Sequence, residues 1–171
     1  MQKPGNTESR RNWTSPPQGW VKINVDAAIF EEVGSVGVGS VIRDANGTFV
    51  GARHCKFEAQ LSPREAEALG LKEALLWTKR LGFRSCIFET DAKTVVEAIK
   101  AIKGCSYFHT IVSDCVELLK HFDNVQVDFI HRSANGVAHT LARASRSMSG
   151  SQEWIGVAPE FISDVVIIDS I

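Results

Sequence analysis

Four positions carry side chains whose types and spacing fit metal and acid–base chemistry: Asp26, Glu67, Asp91 and His139. Asp26 ends the run Val21-Lys22-Ile23-Asn24-Val25-Asp26, in which apolar and polar residues alternate at strand period. Taken alone, it fits the solvent face of a half-buried strand equally well. Glu67 is more telling. On a helical wheel Gly70, Leu71, Ala74, Leu75, Trp77 and Leu81 fall on an arc around it, while Glu65, Lys72, Lys79 and Arg80 lie on the far side. A carboxylate on an apolar face must be protonated, salt-bridged or bound to a cation. Asp91 follows the short apolar strand that ends Cys86-Ile87-Phe88-Glu89-Thr90. It can cap the next helix. It can also stand where ligand sites collect, at the carboxyl ends of parallel strands. Asn135 and His139 are one turn apart on a last helix, beside Ala138, Leu141 and Ala142. His139 there is either a hydrogen-bonded structural residue or a ligand facing the same sheet as the three acids.

Three carboxylates from three separate elements suit hard divalent cations. Mg²⁺ takes oxygen ligands and keeps several waters, so few protein groups suffice. Two such ions roughly 4 Å apart can hold a phosphodiester, one activating a water and the other stabilising the leaving oxygen. Residue types and spacing lead to that possibility and no further.

The elements that must position these groups can be read in order. Residues 1–19 are rich in Gly, Asn, Ser, Pro and Gln and are expected to form a flexible linker. Strands are expected from Trp20, over 36–43 and over 48–57, with Asp44-Ala45-Asn46-Gly47 as a hairpin turn. Ser62-Pro63-Arg64-Glu65 combines a capping box with proline at the first helical position and opens a helix to about Leu81, stopped by Gly82. A strand over 84–90, helices over 92–103 and 107–122, a strand over 125–130 and a helix over 134–147 follow. Three antiparallel strands and two strands joined by helical crossovers predict an α/β fold, a mixed five-stranded sheet flanked by helices. The compact domain is expected over 20–148. An acidic C-terminal tail over 149–171 holds Glu153, Glu160, Asp164 and Asp169 without a Lys or Arg, and its Trp154, Phe161, Ile162 and Val165 are suited to docking on the domain.

Composition sets the bounds. One domain fits 171 residues, which excludes a polymerase or a helicase. No apolar run reaches the ~20 residues of a membrane span, and the first thirty residues lack a signal-peptide core. An intracellular protein with no membrane partner is expected. A net charge of −1 permits a nucleic-acid partner without demanding one. Cys55, Cys86, Cys105 and Cys115 show no zinc spacing, and Cys86 and Cys115 sit among apolar residues, as reduced core thiols do.

With these residues in place, the chain resembles the ribonuclease H family, most closely the plant ribonuclease H-like domains related to retrotransposon reverse transcriptases. The resemblance covers about residues 13–169. It rests on Trp13-x-x-Pro16-Pro17-x-Gly19-x-Val21-Lys22-Ile23-Asn24-Val25-Asp26, on Gly37-Val38-Gly39-Ser40-Val41-Ile42-Arg43-Asp44, on Ala66-Glu67-Ala68, on Glu89-Thr90-Asp91-Ala92 and on Arg132-x-x-Asn135-x-x-Ala138-His139-x-Leu141-Ala142. No single motif decides; five in order are specific.

The resemblance implies metal-dependent cleavage of the RNA strand of RNA–DNA hybrids, with two Mg²⁺ or Mn²⁺ ions. It implies that Asp26, Glu67 and Asp91 hold metal, that His139 occupies the position of a fourth carboxylate, and that Gly37, Gly39, Arg64 and Asn135 contact nucleic acid. It implies an RNA–DNA hybrid as partner, no small-molecule substrate, and a monomer. Imidazole binds Mg²⁺ less well than Mn²⁺, so His139 changes the expected metal preference. Ala27 stands where relatives usually carry Gly, and the stretch Lys100 to His109 is short, as in relatives without a basic protrusion. The alternative readings are a nucleic-acid-binding module of the same fold with weak or no catalysis, domesticated from a retroelement, and a protein-interaction domain.

Overall fold

In the computed structural model, which describes residues 11–169, a twisted mixed sheet separates two helical layers. The strands are β1 (Val21–Phe30), β2 (Ser35–Arg43), β3 (Phe49–Phe57), β4 (Ser85–Thr90), β5 (Asn124–Phe129) and β6 (Ser151–Ile155). The helices are α1 (Pro63–Arg80), α2 (Lys93–Lys100), α3 (Tyr107–Leu119), α4 (Gly136–Ala144) and α5 (Glu160–Asp169). The sheet order is β5-β4-β1-β2-β3-β6. β1 pairs antiparallel with β2 and parallel with β4, and β5 lies parallel to β4.

The expected α/β architecture is present, but the sheet has six strands rather than five. β6 forms within the stretch expected as a tail and pairs antiparallel with β3, from Gly51 opposite Ile155 to Cys55 opposite Ser151. Its sequence, Ser-Gln-Glu-Trp-Ile, carries little apolar alternation because it is a mostly exposed edge strand in which Trp154 alone is half-buried. The first ten residues of the expected linker lie outside the described residues. Beyond them, Trp13 and Pro16 are buried.

α1 starts where the capping box places it: Ser62 accepts from the Glu65 amide, and the Glu65 carboxylate accepts from the Ser62 amide. Its apolar side, with Leu71, Ala74, Leu75 and Trp77, joins Phe108, Ile111 and Val112 of α3 against Ile23, Val25 and Phe88 of the sheet. The opposite face of the sheet is covered by α4 and α5, where Val137, Leu141 and Ile162 pack on Val41 and Ala52.

This double cover changes the reading of β1. Its alternation suggests one wet face, yet every residue from Val21 to Asp26 is buried. The polar set Lys22, Asn24 and Asp26 faces a buried polar layer. Asn24 Oδ1 accepts from Trp13 Nε1 at 3.0 Å and from Arg43 Nη2 at 3.0 Å, while its amide donates to Glu89 Oε1 at 3.2 Å and to Asn135 Oδ1 at 3.3 Å. Lys22 pairs with Glu89 at 3.3 Å. The Arg43 guanidinium lies 4.1 Å from the centre of the Trp13 ring. Buried polar groups are tolerated because they are bonded to one another.

Candidate active site

The parallel register of β1 and β4 runs from Val21 opposite Cys86 to Val25 opposite Thr90. Asp26 and Asp91 are the next residues along the two segments, so the two carboxylates stand side by side where the β1–β4 pairing ends, although β1 itself runs on to Phe30. α1 delivers the third. Gly70 lies against β1: a Cβ there would make ordinary contact, 3.4 Å from Val25 Cγ1 and 3.6 Å from the Asp26 carbonyl. Glu67, one turn earlier, then reaches over the strand end. Carboxylate oxygens of Asp26, Glu67 and Asp91 all lie within 4.8 Å of one another.

α4 brings His139. Gly37 and Gly39 on β2 are buried beneath this helix. A Cβ on Gly39 would come within 2.5 Å of the Ala138 carbonyl and of the Ala142 amide nitrogen, and one on Gly37 within 2.4 Å of the Ala142 carbonyl. Gly39 is also the register partner of Asp26. The two glycines therefore seat α4 on the sheet beside Asp26, and His139 Nδ1 lies 2.7 Å from Asp26 Oδ2.

Gly37 and Gly39, expected as nucleic-acid contacts, lie buried under α4, whose close approach accounts for both glycines. Asn135 is likewise buried and works internally: its amide donates to the Val25 carbonyl at 2.8 Å, and its Oδ1 accepts from Asn24. Arg64 is exposed on the first turn of α1, its guanidinium 4.5 Å from the centre of the Phe108 ring.

The electrostatics set this cluster apart from a structural salt bridge. Glu67 makes no ion pair among the described residues, and its Oε2 is enclosed without a hydrogen-bond partner. Burial first, then the charges of Asp26 and Asp91, push the Glu67 carboxyl up to about 9, with Arg132 acting the other way. Burial and then the Asp91 charge also raise Asp26, against the pull of His139. Asp26 and Glu67, both raised and the latter with an orphaned oxygen, form with Asp91 an all-oxygen donor set suited to hard divalent cations.

Of the three acids, Glu67 lines a groove of about 240 Å³, together with Ala27, Pro63, Arg132, His139 and Arg143. Arg132 and Arg143 were not among the expected site residues. Arg143 is one turn beyond His139 on α4, and that spacing alone places the two on one helix face. Arg132 stands three residues before Asn135, with Nη2 3.4 Å from His139 Nδ1. Two exposed guanidinium groups beside a carboxylate cluster supply positive charge at the rim of an acidic centre.

A family described as reverse transcriptase-like matches residues 24–145, which include all four clustered side chains. A protein of Arabidopsis thaliana named for ribonuclease H is 27% identical over 162 residues, covering 93% of this chain and 26% of that protein. The chain thus spans about a quarter of the length of that relative. Among solved structures, ribonuclease H1 from the halophilic archaeon Halobacterium salinarum superposes with a TM-score of 0.69 at 22% identity, over 75% of this chain and 98% of its own. The N-terminal ribonuclease H domain of a Mycobacterium tuberculosis protein, solved as a fusion with maltose binding protein, gives 0.67 at 22% identity, over 75% of this chain and 94% of that one. LC11-RNase H1 in complex with an RNA/DNA hybrid gives 0.60 at 18% identity, over 75% and 99%. The fold is that of ribonuclease H.

Proposed function

The chain belongs to the reverse transcriptase-like family, and on that premise we propose that it is a divalent-metal-dependent endonuclease that hydrolyses the RNA strand of RNA–DNA hybrids. The observation that carries the reading is the triad of Asp26, Glu67 and Asp91, with oxygens within 4.8 Å of one another and Glu67 in no ion pair among the described residues. Asp26, Glu67 and Asp91 would hold two Mg²⁺ or Mn²⁺ ions, which would supply water activation and charge neutralisation at the leaving oxygen.

The chain's own groups do the remainder. Asp26 is fixed by β1 and by the buried Asn24 and Asn135 behind it. His139 holds a proton between its Nδ1 and Asp26 Oδ2, so the pair manages protons at the edge of the metal site. Arg132 and Arg143 bind phosphate oxygens and orient the strand along the groove. Because Asp26 Oδ2 is shared with His139, a ligand oxygen is partly engaged, which favours slower turnover with Mg²⁺ than with Mn²⁺.

The test is cleavage of a labelled hybrid against a titration of Mn²⁺ and Mg²⁺, with double-stranded DNA as the control. Asp26→Asn keeps the shape and removes the charge. It abolishes cleavage while the circular dichroism spectrum stays that of the parent. Cleavage that persists in excess chelator overturns the reading. Hybrid binding without cleavage in any metal moves the protein to the class of binding modules.

A further inference from the structure

α5 does more than cover apolar surface. Ile162 is fully buried against Val41, Ala52, Val137 and Leu141, which lays α5 along α4. At its far end, Asp169 points at the first turn of α4. Its Oδ2 accepts from the Val137 amide at 3.4 Å, one of the donors a helix start leaves without an internal partner. The same oxygen lies 3.7 Å from Arg43 Nη1. Asn135, the residue before α4, makes no side-chain cap of its own: its Oδ1 accepts from Asn24 instead, and its Nδ2 donates to the Val25 carbonyl.

The first turn of α4 is therefore held from two sides. On one side Arg43 bonds Asn24, Asn24 bonds Asn135, and the Asn135 carbonyl accepts from the His139 amide at 3.1 Å. On the other side Asp169 caps Val137 and faces Arg43. A Cβ on Gly136 would lie 3.1 Å from Asp169 Oδ1 and 3.4 Å from Val165 Cγ1, so there is little room for α4 to shift toward α5. These contacts meet the chain at Asn135, Gly136 and Val137, two to four residues before His139.

We propose that Asp169 is a positioning residue: the carboxylate at the end of α5 replaces the missing cap of α4 and sets the height at which His139 meets Asp26. This rests on the reading of Asp26 and His139 as parts of a nuclease site, and it ties the competence of that site to a segment far from it in sequence. A negative charge at a helix start is also favoured by the helix dipole, so the carboxylate serves both as cap and as counter-charge. Asp169 touches no reacting atom.

The experiment compares the whole chain with Asp169→Ala and Asp169→Asn by amide hydrogen exchange without metal and by hybrid cleavage with Mn²⁺. Asp169→Ala speeds exchange of the Val137 and His139 amides by about fivefold, the weight of one lost helix cap, while amides of β1 and α1 keep the parent rates. The cleavage kcat falls by a similar factor with KM for the hybrid unchanged. Asp169→Asn, whose Oδ1 still accepts from Val137 but no longer pairs with Arg43, lies between the two. Exchange at Val137 and His139 equal to the parent overturns the proposal. So does an increase spread evenly over β1 and α1, since that describes ordinary structural glue. If the parent cuts no hybrid, the exchange measurement still decides the clamp, and the failure falls on the proposed activity alone.

Discussion

Replacing Glu67 by Gln should make the metal-free protein more stable while removing its response to metal. The folded state raises the Glu67 carboxyl from an ordinary 4.5 to about 9. A group raised in this way stays protonated in the folded chain where the unfolded chain has released its proton. The stability it carries is complete below about 4.5 and is lost as pH rises toward 9. From 4.5 to pH 7 is about 2.5 pH units, which at about 1.4 kcal/mol each sets a ceiling of about 3 kcal/mol. The groove is open to water, which damps the penalty, so about 1–2 kcal/mol is the expected size. Glu67→Gln removes it without changing side-chain volume. Without metal at pH 7, its Tm should exceed that of the parent by about 3–6 °C, given the usual conversion for domains of this length. The gap should close near pH 5 and widen toward pH 9. Mn²⁺ at about a hundred times its Kd should add about 2.7 kcal/mol to the parent and nothing to the variant. Differential scanning fluorimetry over pH, with and without metal, reads both effects. A Glu67→Gln protein less stable than the parent at pH 8, with metal stabilising both alike, would falsify the argument, because it would make Glu67 a partner in a structural pair.

The remaining predictions test α4 and what it carries. His139→Asp adds a fourth carboxylate and should raise the Mg²⁺-supported cleavage rate while lowering Tm without metal; an inactive but well-folded variant defeats the assignment of His139 to the fourth position. His139→Ala should slow cleavage less than Asp26→Asn does, as measured on one hybrid under single-turnover conditions, because the three carboxylates remain. Gly39→Ala should cost about 1–3 kcal/mol in urea denaturation, as overpacked sites do, since its methyl meets the backbone of Ala138 and Ala142 rather than a movable side chain. It should also depress cleavage beyond what that stability loss explains, because α4 must lift away from Asp26.

Sequence and structure agree best where local chemistry is decisive. The capping box at Ser62 places α1 within a residue, and Glu67 amid Leu71, Ala74 and Leu75 is visible on a wheel as a carboxylate facing apolar company. The strand end at Thr90 and Asp91 is legible because β4 is a short apolar run. Legibility fails where partners come from far along the chain. Lys22 and Asn24 have the composition of a wet strand face; only α4, Trp13 and Arg43 make that face interior. Gly37 and Gly39 stand in the sequence only as nucleic-acid contacts implied by resemblance, and the packing need for them, the approach of α4 about a hundred residues later, is invisible there. β6 escapes notice because an exposed edge strand needs no apolar alternation. Arg143 carries no signal as an isolated arginine, and Arg132, though it opens the last motif, gains a place in the site only when the groove brings both to Glu67.

The burial of Trp13 bears on where this domain can be cut from a longer sequence or joined to another. Its indole nitrogen fills one of the two bonds accepted by Asn24 Oδ1, and its ring roofs the Arg43 guanidinium. A fragment begun at Trp20, where the strand pattern starts, would retain every helix and strand yet open that roof. Water would then enter beside Arg43 and Asn24, the latter bonded directly to the asparagine that steadies α4. An insert or fusion partner placed upstream of Trp13 leaves the roof in place, while one placed between Trp13 and Val21 stretches the segment that holds it down. The functional boundary at the amino end is thus drawn by one indole rather than by the first regular hydrogen-bond ladder.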